Sequence, residues 1–122
     1  MALRANPDRL LVHQVSCQVS KEVVEIARTF RGPGAHARGD QVVRAALSVT
    51  SNIAEACGRN TVQEFRQFLG YAKGSAFELR TQLKLSRHLD PPRGPAFGAL
   101  ENRVTLVIKL IGRLQQHPPP EC

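Results

Sequence analysis

Thr61-Val62-Gln63-Glu64-Phe65-Arg66-Gln67-Phe68-Leu69 opens the longest patterned run of the chain. Thr61 and Glu64 have the spacing of a capping box, in which the threonine oxygen and the glutamate carboxylate satisfy orphan amides reciprocally at a helix start. Behind them Phe65, Phe68, Leu69, Ala72, Ala76, Leu79 and Leu83 recur at helical steps. Such a recurrence places one apolar stripe on one face of a helix. Asp90-Pro91-Pro92 ends the run, because proline cannot continue a helix interior. The spacing predicts a helix over residues 61–89.

Three flanking segments carry the same period. Asn6-Pro7-Asp8 reads as a helix start, with an Asn cap, Pro at the first helical position and an acid near the positive end of the dipole. Val12, Val15, Val19, Val23, Ile26 and Phe30 follow at steps of 3 and 4, which predicts a helix over 7–30. A Gly-rich linker containing Gly32, Gly34 and Gly39 comes next, and Asp40 is read as the cap of a helix over 40–57. The stripe there is Val42 or Val43, Ala46, Val49 or Thr50, and Ile53, with Gly58 as the terminating C′ glycine. The last stripe is Leu100, Val104, Val107, Ile111 and Leu114, predicting a helix over 95–116 before Pro118-Pro119-Pro120. No segment sustains the alternation of a strand. The expected fold is all-α, a single domain over 1–122 built as an up-down-up-down four-helix bundle with short tails.

Composition excludes several function classes. The chain has 122 residues with aromatics at 5% and no Trp, so its core is expected to draw on Leu, Val, Ile and Ala, which argues toward helices and against a β-sandwich. No stretch reaches the roughly 18 apolar residues of a membrane span. Met1 to Val12 have no apolar run ahead of a small-residue cleavage site, and a cytoplasmic location is expected. Cys17, Cys57 and Cys122 form no CxxC pair, so neither a disulfide framework nor a structural zinc site is expected. His13, His36, His88 and His117 share no metal-ligand spacing, and no nucleophile elbow or phosphate-binding glycine loop is present. The sequence gives no positive evidence for a catalytic site, a metal or a cofactor.

Its positive feature is basic. Lys and Arg total 17 against 10 Asp and Glu, a net charge of +7, and 13 of the 17 are Arg. Arg66, Lys73, Arg80 and Arg87 stand seven apart, and seven residues fall about 20° short of two turns. They form a slanting stripe about 32 Å long beside the apolar face. Arg59 lies one step of seven earlier, Lys84 adds to the far end, and Lys21 and Arg28 repeat the device on the first helix. Such a stripe suits phosphates, which the guanidinium fork grips in a bidentate way. Contacts of this kind tolerate any sequence. Stacking platforms for bases are scarce, with Tyr71 the plausible one. Gly74, Thr81 and His88 lie farthest from the core row, beside Gly70 and Phe77. A large ring next to mid-helix glycines suggests a close contact, either with the fourth helix or with another subunit.

The residues then resemble a family. Ser51-Asn52-Ile53-Ala54-Glu55-Ala56-Cys57-Gly58-Arg59 looks like the "SNIAEGxGR" signature of the bacterial four-helix bundle proteins encoded in intervening sequences of 23S ribosomal RNA genes. Glu64 to Leu69, then Ala72-Lys73-Gly74-Ser75 and Glu78-Leu79, are similar to its "EFxxFLxxAxGSxxEL" block. Leu10 to Ser16 resemble its "LxVYQxA" opening, with His13 for Tyr and Ser16 for Ala. Ala56 stands where the family has Gly. The same class resembles the accessory variability determinant of diversity-generating retroelements. That resemblance implies a homopentameric barrel of bundles that binds nucleic acid and a reverse transcriptase, supporting mutagenic cDNA synthesis from template RNA without catalysing it. Five copies at +7 each would carry +35. Of the motif residues, Asn52, Glu55, Gly58, Gly74, Ser75 and Glu78 are expected to be structural, a polar network and tight packing between the second and third helices.

The expected function is therefore a non-catalytic, basic, nucleic-acid-binding accessory protein partnering a reverse transcriptase. The alternatives are an intervening-sequence protein binding ribosomal RNA without a polymerase, and a purely structural oligomeric bundle. The expected contacts to RNA or DNA are Arg59, Arg66, Lys73, Arg80, Lys84, Arg87, Lys21 and Arg28, with Gly70 and Phe77 in the subunit contact.

Overall fold

The computed structural model describes residues 6–119. Among them lie four α-helices and no strand: α1 Leu11–Ala27, α2 Ala35–Cys57, α3 Val62–Leu89 and α4 Gly94–Gln116, with short 3-10 turns at Pro7–Arg9 and Pro91–Arg93. Each helix packs on its neighbours in sequence, and α1 closes on α4. Cross-contacts run antiparallel throughout. On α1 and α2, Ser20 meets Ala46 and Thr50. On α3 and α4, Arg66 meets Gln115 while Arg87 meets Glu101. The arrangement is a four-helix bundle.

The apolar stripes meet at its centre. Val23, Val42, Ile53, Phe65, Leu69, Leu83, Phe97 and Ile111 are fully buried, one or more from every helix. The predicted stripe of α3 is buried except at Phe68, which is only half covered. Ala45, Ala56, Phe97 and Ile108 join the core beyond the predicted rows. So do the hydroxyls of Ser16, Ser20 and Ser86, each of which has a hydrogen-bond partner, as burial demands.

Both ends of α1 and both ends of α2 differ from the sequence reading. Asn6 does cap, its Oδ1 accepting from the amide of Asp8 at 3.0 Å, but what it caps is the turn Pro7–Arg9. Extended backbone at Leu10 then separates that turn from α1. At its other end α1 stops at Ala27, and Phe30 turns back edge-to-face onto Phe97, with centroids 5.5 Å apart. Helix α2 begins five residues before Asp40. Gly34, at φ +65°, occupies the left-handed region and serves as its N-cap. Gly39 is thus inside α2 and not in the linker. A Cβ there would sit 3.2 Å from the carbonyl oxygen of Ala27, so the glycine allows α1 and α2 to close up. Gly58 ends α2 in a right-handed conformation at φ −87°, not as a left-handed C′ glycine.

Thr61 caps α3 as read, accepting from the Glu64 amide at 3.1 Å, although the returning half of the capping box is not formed among the described residues.

The linker between α1 and α2 is fastened by Arg38. Its guanidinium donates to the carbonyls of Pro33 and Arg31 and to the Ser86 hydroxyl of α3, and lies 5.3 Å from the Phe30 ring. One arginine from the start of α2 thereby joins the linker to the end of α3.

Candidate nucleic-acid interface

The basic row of α3 lies along the seam with α4. Arg66 donates from Nε to the carbonyl of Gln115 at 2.7 Å, and the Gln115 amide donates back to the Arg66 carbonyl. The acceptor is among the last carbonyls of α4, which lack helical partners, so a cation suits it. Arg80 donates to the Thr105 hydroxyl at 3.2 Å and lies 4.8 Å from the Phe77 ring centroid. Arg87 pairs with the Glu101 carboxylate, its Nε 3.1 Å from one oxygen and its Nη2 donating to the other at 3.5 Å. Lys73 and Lys84 make no hydrogen bond or ion pair among the described residues.

The row therefore has two kinds of member. Arg66, Arg80 and Arg87 fasten α3 to α4; the two lysines are uncommitted. An arginine carries five N–H donors, and Arg66 and Arg80 each use one within the chain. The rest stay available, most fully at Arg66, which is exposed. Lys109 extends the basic surface onto α4. It lies one turn beyond Thr105 on the same side and is exposed. The sequence reading missed it because only the α3 register against α4 shows which α4 residues flank the row. Glu101 is the carboxylate that faces this seam.

Other expected contacts fall elsewhere. Arg59 turns away, pairing with Glu55 and stacking on Phe68 at 4.3 Å. Lys21 and Arg28 line a groove between α1 and α2 with Val24, Glu25 and Leu47, and α1 lies diagonally across the bundle from α3. They do not extend the stripe.

The motif residues also divide. Ser75 of α3 bonds the Ser48 hydroxyl of α2 at 2.8 Å, and Asn52 donates to that same hydroxyl at 3.1 Å. This is the expected polar link between the second and third helices, with Ser48 at its centre, a residue the sequence reading did not name. Glu55 and Glu78 face outward. Gly74 has open space where a Cβ would be, and Gly70 has Gln115 of α4 at 3.7 Å. An intrachain neighbour therefore accounts for the close approach read at Gly70.

The aromatics are placed differently from the reading. Tyr71 packs edge-to-face on Phe68 and accepts from Gln67, on the far side of α3 from the basic row. Phe77 is 42% exposed and stands in the row itself.

Elsewhere the chemistry is sparse. Among the described residues no three His, Cys, Asp or Glu side chains gather as a metal site, and no helix is long and apolar enough to cross a membrane. His13 is 3.8 Å from the Cys17 sulfur, and His36 pairs with Asp40 at 3.5 Å on the surface. Burial raises the Cys57 thiol above its ordinary pKa, which keeps it neutral. The arrangement offers hydrogen bonds and positive charge to a polyanion.

A comparison with curated proteins returns no match. The family model described as 23S rRNA-intervening sequence protein matches residues 8–113, which takes in α1, α2, α3 and α4 as far as Arg113, with every cation of the α3 row. The chain belongs to the 23S rRNA-intervening sequence protein family.

Proposed function

We propose that this protein is a non-catalytic nucleic-acid-binding bundle that holds RNA, ribosomal RNA in the first instance, by its phosphate backbone along the α3–α4 seam. The observation that carries the reading is the row Arg66, Lys73, Arg80, Lys84 with Lys109 beside it, exposed or half-exposed and faced by one carboxylate. A net charge of +7 and the predominance of arginine support it. The family description favours ribosomal RNA over a reverse-transcriptase partner. The reading also includes assembly as a homopentamer. Tyr71, Gly74, Glu78, Leu85 and Leu89 form one row on the side of α3 away from α4, and its exposed apolar members are the surface proposed for the subunit contact.

The test is a titration with a ribosomal RNA fragment at two salt concentrations. Phosphate binding predicts an affinity that falls steeply with salt, with a log–log slope set by the number of contacts. Replacing Lys73 and Lys84 together by Gln should weaken binding to every sequence alike and reduce the slope by about 2. An affinity indifferent to salt would reject the proposal.

A further inference from the structure

Phe77 is anomalous where it stands. Its ring is 42% exposed, yet its helical neighbours on this side of α3 are cations: Lys73 one turn before, Arg80 one turn after and Lys84 two turns after. An apolar protein partner would have to bury those charges along with the ring, which is costly unless each finds a counter-charge. A polyanion with flat apolar faces meets both requirements. The ring is also held in place. Arg80 lies 4.8 Å from its centroid and is itself tethered to Thr105 of α4, so the aromatic surface is preorganised by the seam.

We propose that Phe77 is a stacking platform for an unpaired base, with Lys73 and Lys84 taking the flanking phosphates, so that the seam selects single-stranded over duplex RNA. This rests on the phosphate-binding reading of the same face and adds the class of RNA to it. At 1.5 Å per residue the two lysines lie about 6 Å and 10 Å along the helix from Phe77, near enough to serve the same short stretch of strand. A duplex keeps its base faces covered and would meet the cations alone. Base–aromatic stacking is sequence-tolerant, and losing one stacked base costs on the order of 5-fold to 150-fold in affinity.

The experiment uses the full chain with two probes, an unstructured 12-nucleotide RNA and its duplex with the complementary strand. Phe77→Leu keeps apolar bulk and removes the ring. It should weaken single-strand binding by about tenfold and leave duplex binding within about twofold. The chain has no Trp, so Phe77→Trp supplies a single indole that can be excited apart from Tyr71, expected to be quenched on adding the single strand and unaffected by the duplex. An unchanged single-strand affinity for Phe77→Leu, with binding still salt-dependent, overturns the stacking proposal and leaves the phosphate reading standing. Equal losses on both probes together with a lower assembly mass by light scattering overturn it in favour of a subunit contact. Salt-independent or absent binding of both probes by the unaltered chain overturns both readings.

Discussion

Arg38 shows how much of the fold one side chain can hold. It has three hydrogen bonds, two to linker carbonyls and one to a fully buried Ser86, and a ring beneath it. Hydrogen bonds from a charged donor are worth more than neutral ones, and an unmade partner in the interior is costly. Arg38→Ala is expected to lose about 2–3 kcal/mol, read as a shift in urea midpoint. Two glycines give opposite signs under one substitution. Gly39→Ala puts a methyl 3.2 Å from the backbone oxygen of Ala27, which cannot move aside without shifting α1. It should destabilise by about 1–2 kcal/mol through overpacking. Gly74→Ala meets nothing within 4 Å, so it should stabilise the chain by about 0.5–1 kcal/mol through helix propensity. If subunits pack closely at Gly74, the same variant will lower the assembly mass by light scattering. Cys57 sets a pH dependence. Its folded pKa is raised by burial above the ordinary 9.0, so the unfolded chain releases this proton first. Stability should therefore be unaffected by Cys57 below that value and decline as pH rises past it. Pulse alkylation at pH 8 should label half-buried Cys17 ahead of buried Cys57.

At the scale of elements, α3 is a helix with three uses. One stripe fills the core, the flank toward α2 carries the Ser75–Ser48–Asn52 link, and the flank toward α4 carries the basic row. The stripe was legible in the sequence because a 3.6-residue period is a local property of the chain. The row was legible for the same reason, being four residues seven apart. What the row touches was not, since the partner of Arg66 lies 49 residues away and that of Arg87 lies 14 away. Arg87 illustrates the consequence. The Glu101 side chain is 14% exposed and loses its compensating charge in Arg87→Gln. The expected cost is about 1–3 kcal/mol, with most of it recovered when Glu101→Gln is added. A double-mutant cycle by chemical denaturation checks this. It also separates Arg87, whose role is to fasten α4, from Lys84, where a Gln variant should leave stability within about 0.5 kcal/mol.

For the whole molecule, +7 on 122 residues is an argument about partners and not about fold. The fold decides where that charge collects. It gathers five α3 cations and Lys109 along one seam, while Lys21 and Arg28 are sent to the α1–α2 groove with Glu25 and Arg59 is turned onto Phe68. Charge-neutralising variants should sort accordingly. Lys21→Gln with Arg28→Gln should reduce RNA affinity only through the weak, long-range loss of net charge. Lys73→Gln with Lys84→Gln should reduce it severalfold more at the same salt, which parallel titrations of the two double variants will read. Equal losses would mean that net charge alone, and not the seam, draws the RNA.

Caps, proline stops and helical periodicity act over a few residues, so the four helices, most of their buried stripes and the existence of a basic row could be read from the chain. Which cations are committed to Glu101, Thr105 and Gln115, and which stay available, follows from the fold alone. It alone tethered Arg80 across to Thr105 beside the Phe77 ring, and it alone made Gly39 a packing position inside α2. These outcomes depend on how the helices are set against one another, and that register follows from packing the whole core at once, which no local pattern encodes.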